Sequence, residues 1–246
     1  MKIKGILFDK DGTLIDFFSL WLGAAERAIP KFLENNNIND EKMVNVVLES
    51  IGVKNSKVDP RGALAYKSYS EIGNDIYKEL CKHGYKLNAE KIGADISRLF
   101  DNEVNKDDVN IVELYDLHKL FEYLKGKNIY IGLATTDTLL SAEYCLKRLN
   151  VNKYFDFIGA DDGVYKPKPA IDLIEAFCSK FNLKYSEIAV VGDTYNDMIF
   201  AKNSGALSIG VLSGVSTIED FKGHADIILK NVGELVINKE IVLYHR

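Results

Sequence analysis

The sequence predicts an α/β protein with a doubly wound parallel-sheet (Rossmann-like) core and an inserted all-helical domain. Short, continuously apolar runs recur along the chain, and stretches with apolar residues at helical spacing lie between them. Continuous hydrophobicity is typical of strands that are buried on both faces, as in a parallel sheet. Strands that alternate with helices indicate right-handed βαβ units. One long segment near the amino terminus interrupts this alternation and predicts the insertion.

Six apolar runs are predicted to be the strands of the core. They lie at 5–9, 129–137, 155–161, 188–193, 206–212 and 225–231. Between them, apolar side chains recur at helical spacing in two clear patterns. These patterns comprise Leu114, Leu117, Leu120, Phe121 and Leu124, and then Ile171, Ile174, Phe177 and Phe181. Such spacing places the apolar residues on one face of a helix, where they can pack against the sheet.

The segment from residue 17 to residue 107 contains no run that predicts a buried strand. Helical stretches are predicted in it at 18–36, 40–53, 68–84 and 88–104. The polar run at 101–110 has the composition of a linker that returns the chain to the core. We therefore predict an α/β core of residues 1–16 and 108–246, with a helical domain of residues 17–107 inserted after the first strand.

Composition narrows the classes of function. The net charge of −5 and the pI near 5.5 give no electrostatic support for a nucleic-acid partner. The three cysteines are far apart and form no CxxC motif, which argues against a zinc site or a disulfide framework and fits a reducing compartment. The first apolar run is too short for a signal peptide, and no stretch approaches bilayer-spanning length. A cytoplasmic protein without a membrane partner is predicted.

The residues that follow the predicted strands indicate where the site lies. In sheets of this kind, ligands bind beyond the carboxyl ends of the strands, near the point where the strand order reverses. Residues 9–11 (Asp-Lys-Asp), residues 135–137 (Thr-Thr-Asp) and Asp193 follow three strands, and Asp197 comes four residues later. The KPKP loop at 166–169 adds lysines. Carboxylates, hydroxyls and a lysine at one edge are the components of a phosphoryl-transfer site.

These residue types predict a specific chemistry. Asp9 and Asp193 could supply the carboxylate oxygens that Mg²⁺ prefers. A carboxylate can also attack phosphorus and form an aspartyl-phosphate, which divides hydrolysis into two easier steps. A second carboxylate two residues later could protonate the leaving oxygen and then activate water. Repulsion from its neighbour favours the protonated form that the acid role requires.

The motifs resemble those of the haloacid dehalogenase (HAD)-like hydrolase superfamily. DKDGT, within ILFDKDGTLID at 6–16, is similar to the DxDGT signature of the phosphatases in that superfamily. Thr135, Lys166 in KPKP and VVGDTYND at 190–197 follow in the family's order. A helical insertion between the first two motifs resembles the cap domain of the phosphoglycolate phosphatase and β-phosphoglucomutase branch. The resemblance covers essentially the whole chain.

The resemblance implies a role for each residue of the first motif. Asp9 would be the nucleophile and Asp11 the general acid/base. The backbone N–H groups of the turn after Asp9, including those of Lys10 and Gly12, would surround the phosphoryl oxygens.

The resemblance extends to the later motifs. Thr135 and the N–H group of Thr136 would bind the phosphate. Asp193 would bind Mg²⁺ beside the Asp9 carboxylate and the Asp11 carbonyl, and Asp197 would be a second carboxylate of the metal site, in its outer shell.

The KPKP loop offers two lysines for one place beside the phosphate. The family pattern KPxP favours Lys166, which would stabilise the phosphate and the charge of Asp9. Lys168 would then be a solvated loop residue.

The predicted function is a Mg²⁺-dependent phosphatase that acts on a small phosphorylated metabolite, similar to phosphoglycolate or a sugar phosphate. A monomer or homodimer is expected. A phosphomutase resembling β-phosphoglucomutase would use the same residues, and a phospho-accepting regulatory domain is the alternative from another class. Specificity is expected to lie in the cap, where Arg61 or a lysine of the loop at 50–68 could bind a second substrate anion or belong to a solvated loop.

Overall fold

The computed structural model describes residues 2–106 and 109–237. In chain order its strands are β1 (Gly5–Phe8), β2 (Val53–Lys54), β3 (Lys57–Val58), β4 (Tyr130–Ala134), β5 (Phe157–Gly159), β6 (Ile188–Gly192), β7 (Leu207–Val211) and β8 (Ile227–Leu229). The α-helices are α1 (Gly23–Asn35), α2 (Lys42–Ser50), α3 (Ala63–Tyr66), α4 (Tyr69–Lys82), α5 (Ala89–Val104), α6 (Leu117–Gly126), α7 (Leu139–Arg148), α8 (Asp172–Phe181), α9 (Tyr195–Ser204), α10 (Ile218–Phe221) and α11 (Glu234–Ile237). Within the described residues, no helix has both the length and the apolar character needed to cross a membrane.

Six strands form one parallel sheet in the order β5-β4-β1-β6-β7-β8. All six are the strands that the apolar runs predict. The chain leaves β1 at the centre of the sheet, builds one side through β4 and β5, and then crosses back to build the other from β6. The strand order therefore reverses next to β1, and a cleft opens there at the carboxyl ends of β1, β4 and β6.

Both faces of the sheet are buried, as continuous hydrophobicity predicts. Successive residues of β1 alternate between the two faces. Ile6 and Phe8 belong to a large apolar cluster that continues into the insertion, whereas Leu7 packs with Phe177 of α8 in a second cluster. The sheet therefore lies between two helical layers, and the doubly wound prediction is confirmed.

The insertion contains the four predicted helices as α1, α2, α4 and α5, and one turn of π-helix at Phe18–Leu22 precedes α1. It also holds the short helix α3 and the antiparallel hairpin β2–β3, which the sequence did not predict. Asn55 and Ser56 form the hairpin turn with positive φ angles of 51° and 52°. Two-residue turns of this kind usually contain Asn-Gly, so the Asn-Ser pair and the very short strands carry only a weak signal.

The return from the insertion begins later than the polar run suggests. Helix α5 continues to Val104, so the first four residues of the predicted linker at 101–110 are helical. Asp107 and Asp108, where the boundary between the two domains was predicted, lie outside the described residues, as do residues 238–246. The division into two domains therefore stays a prediction.

Candidate functional site

The strand ends bring the predicted acidic residues together. Asp9 follows β1 directly, and its N–H group donates a hydrogen bond to the carbonyl of Val191 in β6 (2.8 Å). Asp193 follows β6, and Asp197 lies in the first turn of α9. All three aspartates are buried, and each offers a carboxylate oxygen within 4.8 Å of those of the other two. The structure thus contains the acidic cluster that the sequence predicts.

One oxygen of the Asp193 carboxylate accepts a hydrogen bond, and the other accepts none from the described residues. Its Oδ2 accepts a hydrogen bond from the N–H group of Val215 (2.9 Å). Its Oδ1 is buried and has no hydrogen-bond partner among the described residues. Gly12, with φ +78°, and Gly214 lie against this carboxylate so closely that a Cβ atom on either would overlap it. A side chain at either position would therefore force the Asp193 carboxylate to move.

Asp197 is bound through both of its oxygens. Its Oδ2 accepts hydrogen bonds from the hydroxyl (2.6 Å) and the N–H group (3.0 Å) of Thr194, which caps α9. Its Oδ1 lies 2.6 Å from Nζ of Lys168. The residue thus has the helix-capping function of a first-turn acid and also contributes charge to the cluster.

The lysine that reaches the cluster is Lys168, and the expectation that Lys166 would do so is wrong. Nζ of Lys168 lies 2.6 Å from Oδ1 of Asp9 as well as from Oδ1 of Asp197, and the side chain is 5% exposed. Its carbonyl accepts a hydrogen bond from the side chain of Asn196 (3.1 Å). Lys166 is exposed. In an extended segment, side chains two residues apart are expected on the same side. The sequence pattern of KPKP therefore does not indicate which of the two lysines reaches the site.

The cluster has more negative than positive charge. Burial raises the pKa of Asp9 to about 7, repulsion from Asp197 and Asp11 adds to the increase, and Lys168 opposes it. Burial, followed by repulsion from Asp9 and Asp197, raises the pKa of Asp193 well above its usual range. Three buried carboxylates around one ammonium group create a place that favours a further positive charge.

Asp11 lies apart from the cluster, on the turn that follows Asp9. Its Oδ1 is bound by Nζ of Lys10 at 2.9 Å, and the same Nζ lies 3.0 Å from Oδ2 of Asp137. Burial raises the pKa of Asp11, although Lys10 opposes the increase. The sequence suggested a role only for the backbone of Lys10, yet its side chain is completely buried.

The predicted phosphate-binding threonines lie at the same edge. Thr135 is buried, its N–H group donates to the carbonyl of Gly159 (3.0 Å), and its Oγ1 accepts from the N–H group of Asp137 (3.1 Å). Because Oγ1 acts as acceptor there, its own hydrogen remains available for a ligand. Thr136 lines the cavity beside it.

A small cavity of about 40 Å³ connects these residues with the insertion. Asp9, Asp11, Thr135, Thr136 and Lys168 line it from the core. The insertion contributes a mainly apolar and aromatic wall with a single lysine, formed by Phe17, Trp21, Leu64, Ala65, Tyr66, Lys67, Tyr69 and Ile72. Arg61 does not line this cavity and lies 3.6 Å from Asp220. Of the basic residues in the 50–68 loop, the structure therefore places Lys67 at the site.

Comparison with known proteins gives matches that cover most of the chain. A family model described as haloacid dehalogenase-like hydrolase matches residues 3–205. Pyrophosphatase PpaX of Bacillus velezensis is 26% identical over 240 residues, which cover 96% of this chain and 95% of that protein.

Solved structures share the fold over nearly the whole chain. A predicted phosphoglycolate phosphatase of Haemophilus somnus superposes with a TM-score of 0.71 at 18% identity, covering 97% of this chain and 99% of that one. A β-phosphoglucomutase of Clostridium difficile gives a TM-score of 0.65 at 18% identity, covering 97% and 96%. At such identities the likeness concerns the fold alone.

Proposed function

The chain belongs to the haloacid dehalogenase-like hydrolase family, and on that premise we propose that it is a Mg²⁺-dependent phosphatase of small phosphomonoesters that forms an aspartyl-phosphate on Asp9. The observation that carries the proposal is the buried cluster of Asp9, Asp193 and Asp197 around Lys168. It combines a nucleophile, metal-binding oxygens and a cation at the edge of the sheet where ligands bind.

The residues fit a magnesium ion. Asp193 Oδ1 is a buried carboxylate oxygen with no hydrogen-bond partner among the described residues, and burial of such an atom is costly unless a cation binds it. Asp9 and Asp193 would hold the ion together with the carbonyl of Asp11, and Asp197 would support it from the outer shell. Bound there, the ion supplies positive charge that offsets the charge of the phosphoryl group.

Two displacements at phosphorus complete the reaction. First, a carboxylate oxygen of Asp9 forms a bond to phosphorus while the bond to the leaving oxygen breaks, and protonated Asp11 gives its proton to that oxygen. Second, Asp11, now a carboxylate, takes a proton from water, whose oxygen attacks phosphorus. The bond between Asp9 and phosphorus then breaks, which returns the Asp9 carboxylate and releases inorganic phosphate.

The other residues would bind and orient the phosphoryl group. Lys168, which is already within 2.6 Å of Asp9, would neutralise a phosphoryl oxygen next to the nucleophile. The Thr135 hydroxyl and the N–H group of Thr136 would donate hydrogen bonds to it. The turn after Asp9 would present the backbone N–H group of Lys10 in the same direction. The expectation that the N–H group of Gly12 also faces the phosphoryl group is not met, because that group donates a hydrogen bond to the carbonyl of Ile15 (2.7 Å).

The size of the cavity favours a small substrate. About 40 Å³ of space remains between the core and the insertion, which is room for only a few water molecules and leaves no place for a bulky leaving group in this arrangement. Phosphoglycolate and small sugar phosphates are the candidate substrates that the family resemblance implies. Inorganic pyrophosphate joins them as a candidate because a relative is named as a pyrophosphatase.

A substrate panel tests the proposal. Phosphate release is measured with Mg²⁺ for phosphoglycolate, pyrophosphate, hexose phosphates and nucleoside monophosphates, on the wild type and on Asp9→Asn. Multiple turnovers by the wild type and none by a folded Asp9→Asn variant support the proposal. Near-normal turnover by that variant would refute the mechanism, and conversion of one hexose phosphate into its isomer without phosphate release would favour a mutase.

A further inference from the structure

The side chain of Lys10 occupies an unusual place for a charged residue. It lies between Asp9 and Asp11 in the chain and has no exposed surface. Its Nζ lies 2.9 Å from Oδ1 of Asp11 and 3.0 Å from Oδ2 of Asp137, and it is 4.0 Å from Sγ of Cys145. One fully buried cation thus connects the turn after β1 with the loop after β4.

Stability alone does not explain this arrangement. A buried ion pair is weak evidence for stability, because well-packed apolar side chains of similar size often replace one without loss. Asp137 Oδ2 accepts no hydrogen bond within the described residues, so the ammonium of Lys10 is the charge that compensates it. One carboxylate would be enough to neutralise the charge of Lys10, yet two lie beside its ammonium group. The arrangement therefore indicates that the position of at least one carboxylate matters.

The insertion contacts the same network. The Tyr69 hydroxyl, at the start of α4, donates to Oδ1 of Asp137 (3.3 Å), and the N–H group of Thr138 donates to that oxygen at 2.8 Å. Nζ of Lys10 lies 5.4 Å from the centre of the Trp21 ring. The position of Lys10 is therefore linked, through Asp137 and Trp21, to the position of the inserted helices.

We propose that Lys10 is a positioning residue for Asp11, held in place by Asp137 and by Tyr69 of the insertion. This inference rests on the proposed function, in which Asp11 protonates the leaving oxygen. Lys10 binds Oδ1 of Asp11 and thereby orients the carboxyl group so that Oδ2 is left to face the leaving group. Asp137 shares the charge of Lys10, and Tyr69 makes this orientation depend on contact between the insertion and the core.

The test compares two small substrates that differ in their need for an acid. Acetyl phosphate has a stable leaving anion, whereas phosphoglycolate leaves an alkoxide that must be protonated. The parameter kcat/KM reports steps up to the first irreversible one, so a fault in Asp11 should lower it mainly for phosphoglycolate. Asp11→Asn sets the size of the full effect, which for general acids is about 10²–10⁴-fold.

We expect Lys10→Met to lower kcat/KM about 10–100-fold more for phosphoglycolate than for acetyl phosphate, a share of the full acid effect. Lys125→Met, which removes a lysine paired with Asp156 away from the site, is the matched control. It should leave the ratio of kcat/KM for phosphoglycolate to kcat/KM for acetyl phosphate unchanged. Tyr69→Phe should change the ratio in the same direction by a few-fold. Tyr77→Phe, on the same helix, serves as its control.

A purely structural role predicts other results. The double variant Lys10→Met/Asp137→Asn leaves no unpaired charge at Asp137 and should regain thermal stability relative to Lys10→Met. We expect its substrate ratio to stay low, since Asp11 still lacks its partner. Equal losses on both substrates, or recovery of the ratio together with stability, would overturn the inference. A wild type that hydrolyses neither acetyl phosphate nor any phosphomonoester of the substrate panel would instead refute the proposed function.

Discussion

The substitution Glu103→Gln tests whether a buried carboxylate joins two helices of the insertion. Glu103 of α5 is 1% exposed and receives contacts from three cations. Arg27 (2.7 Å) and Lys31 (2.6 Å) reach it from α1, and Lys106 (2.7 Å) from beyond the end of α5. Burial disfavours its charge, but hydrogen bonds from Lys106, Lys31 and Arg27 outweigh this and lower the pKa of Glu103 from 4.5 to about 2.

This shift converts into a pH-dependent stability. A carboxyl with a lower pKa in the folded state stabilises the fold above its unfolded pKa, and the stabilisation is lost as pH falls through the folded pKa. At 1.36 kcal/mol per pKa unit, Glu103 contributes about 3 kcal/mol at pH 7 and about 1 kcal/mol at pH 3. The loss is therefore expected between about pH 4.5 and pH 2.

Urea unfolding of the wild type and Glu103→Gln at several pH values measures this contribution. The free energy of unfolding should differ by about 3 kcal/mol at pH 7, and the difference should shrink towards pH 3. Glu79→Gln is the control, since its pairs with Lys82 and His83 are on the surface and should contribute less than about 0.5 kcal/mol. A difference that is equally small for both variants, or that does not depend on pH, would refute the reasoning.

Three further predictions concern the site. Lys168→Met should lower kcat/KM by about 10²–10³-fold, while Lys166→Met stays near wild type, and the reverse order in a phosphate-release assay would contradict the geometry. Gly214→Ala should weaken Mg²⁺-dependent activity without unfolding the protein, because the new methyl group displaces the Asp193 carboxylate. Turnover measured against Mg²⁺ concentration, together with an unchanged Tm, tests this. An unaltered Mg²⁺ concentration at half-maximal turnover would count against it. EDTA should stop turnover, and Mg²⁺ should restore it; activity in excess EDTA would show that no metal is required.

The fold was predictable because its signals are local and repeated. Each strand of the sheet is a short apolar run, and each long helix of the insertion has its own amphipathic pattern and, for α4 and α5, a capping residue in sequence. The hairpin β2–β3 was missed because two-residue strands are too short to show any alternation. The end of α5 at Val104 agrees with the predicted helix at 88–104, whereas the overlapping linker prediction was wrong for residues 101–104, which form the last turn of that helix.

The candidate site was predictable where side chains follow strands directly. Asp9, Thr135 and Asp193 come together since parallel strands end at one edge, and this requires no knowledge of loops. The choice between Lys166 and Lys168 depends on the path of a loop, which local sequence does not specify. The buried side chain of Lys10 was missed because its partner Asp137 lies on a different strand connection, and a contact of that range leaves no pattern in the sequence.

The covalent intermediate on Asp9 is the central claim, and trapping it is the most direct test. Asp11→Asn should slow the water attack, while acetyl phosphate, whose leaving group needs no proton, should still phosphorylate the enzyme. Acid quenching after mixing with ³²P-labelled acetyl phosphate, followed by mass spectrometry, should find close to one phosphoryl group per chain on the peptide that contains Asp9. Release of labelled phosphate at the same time points with no label on that peptide, in this variant and in the wild type, would contradict the account.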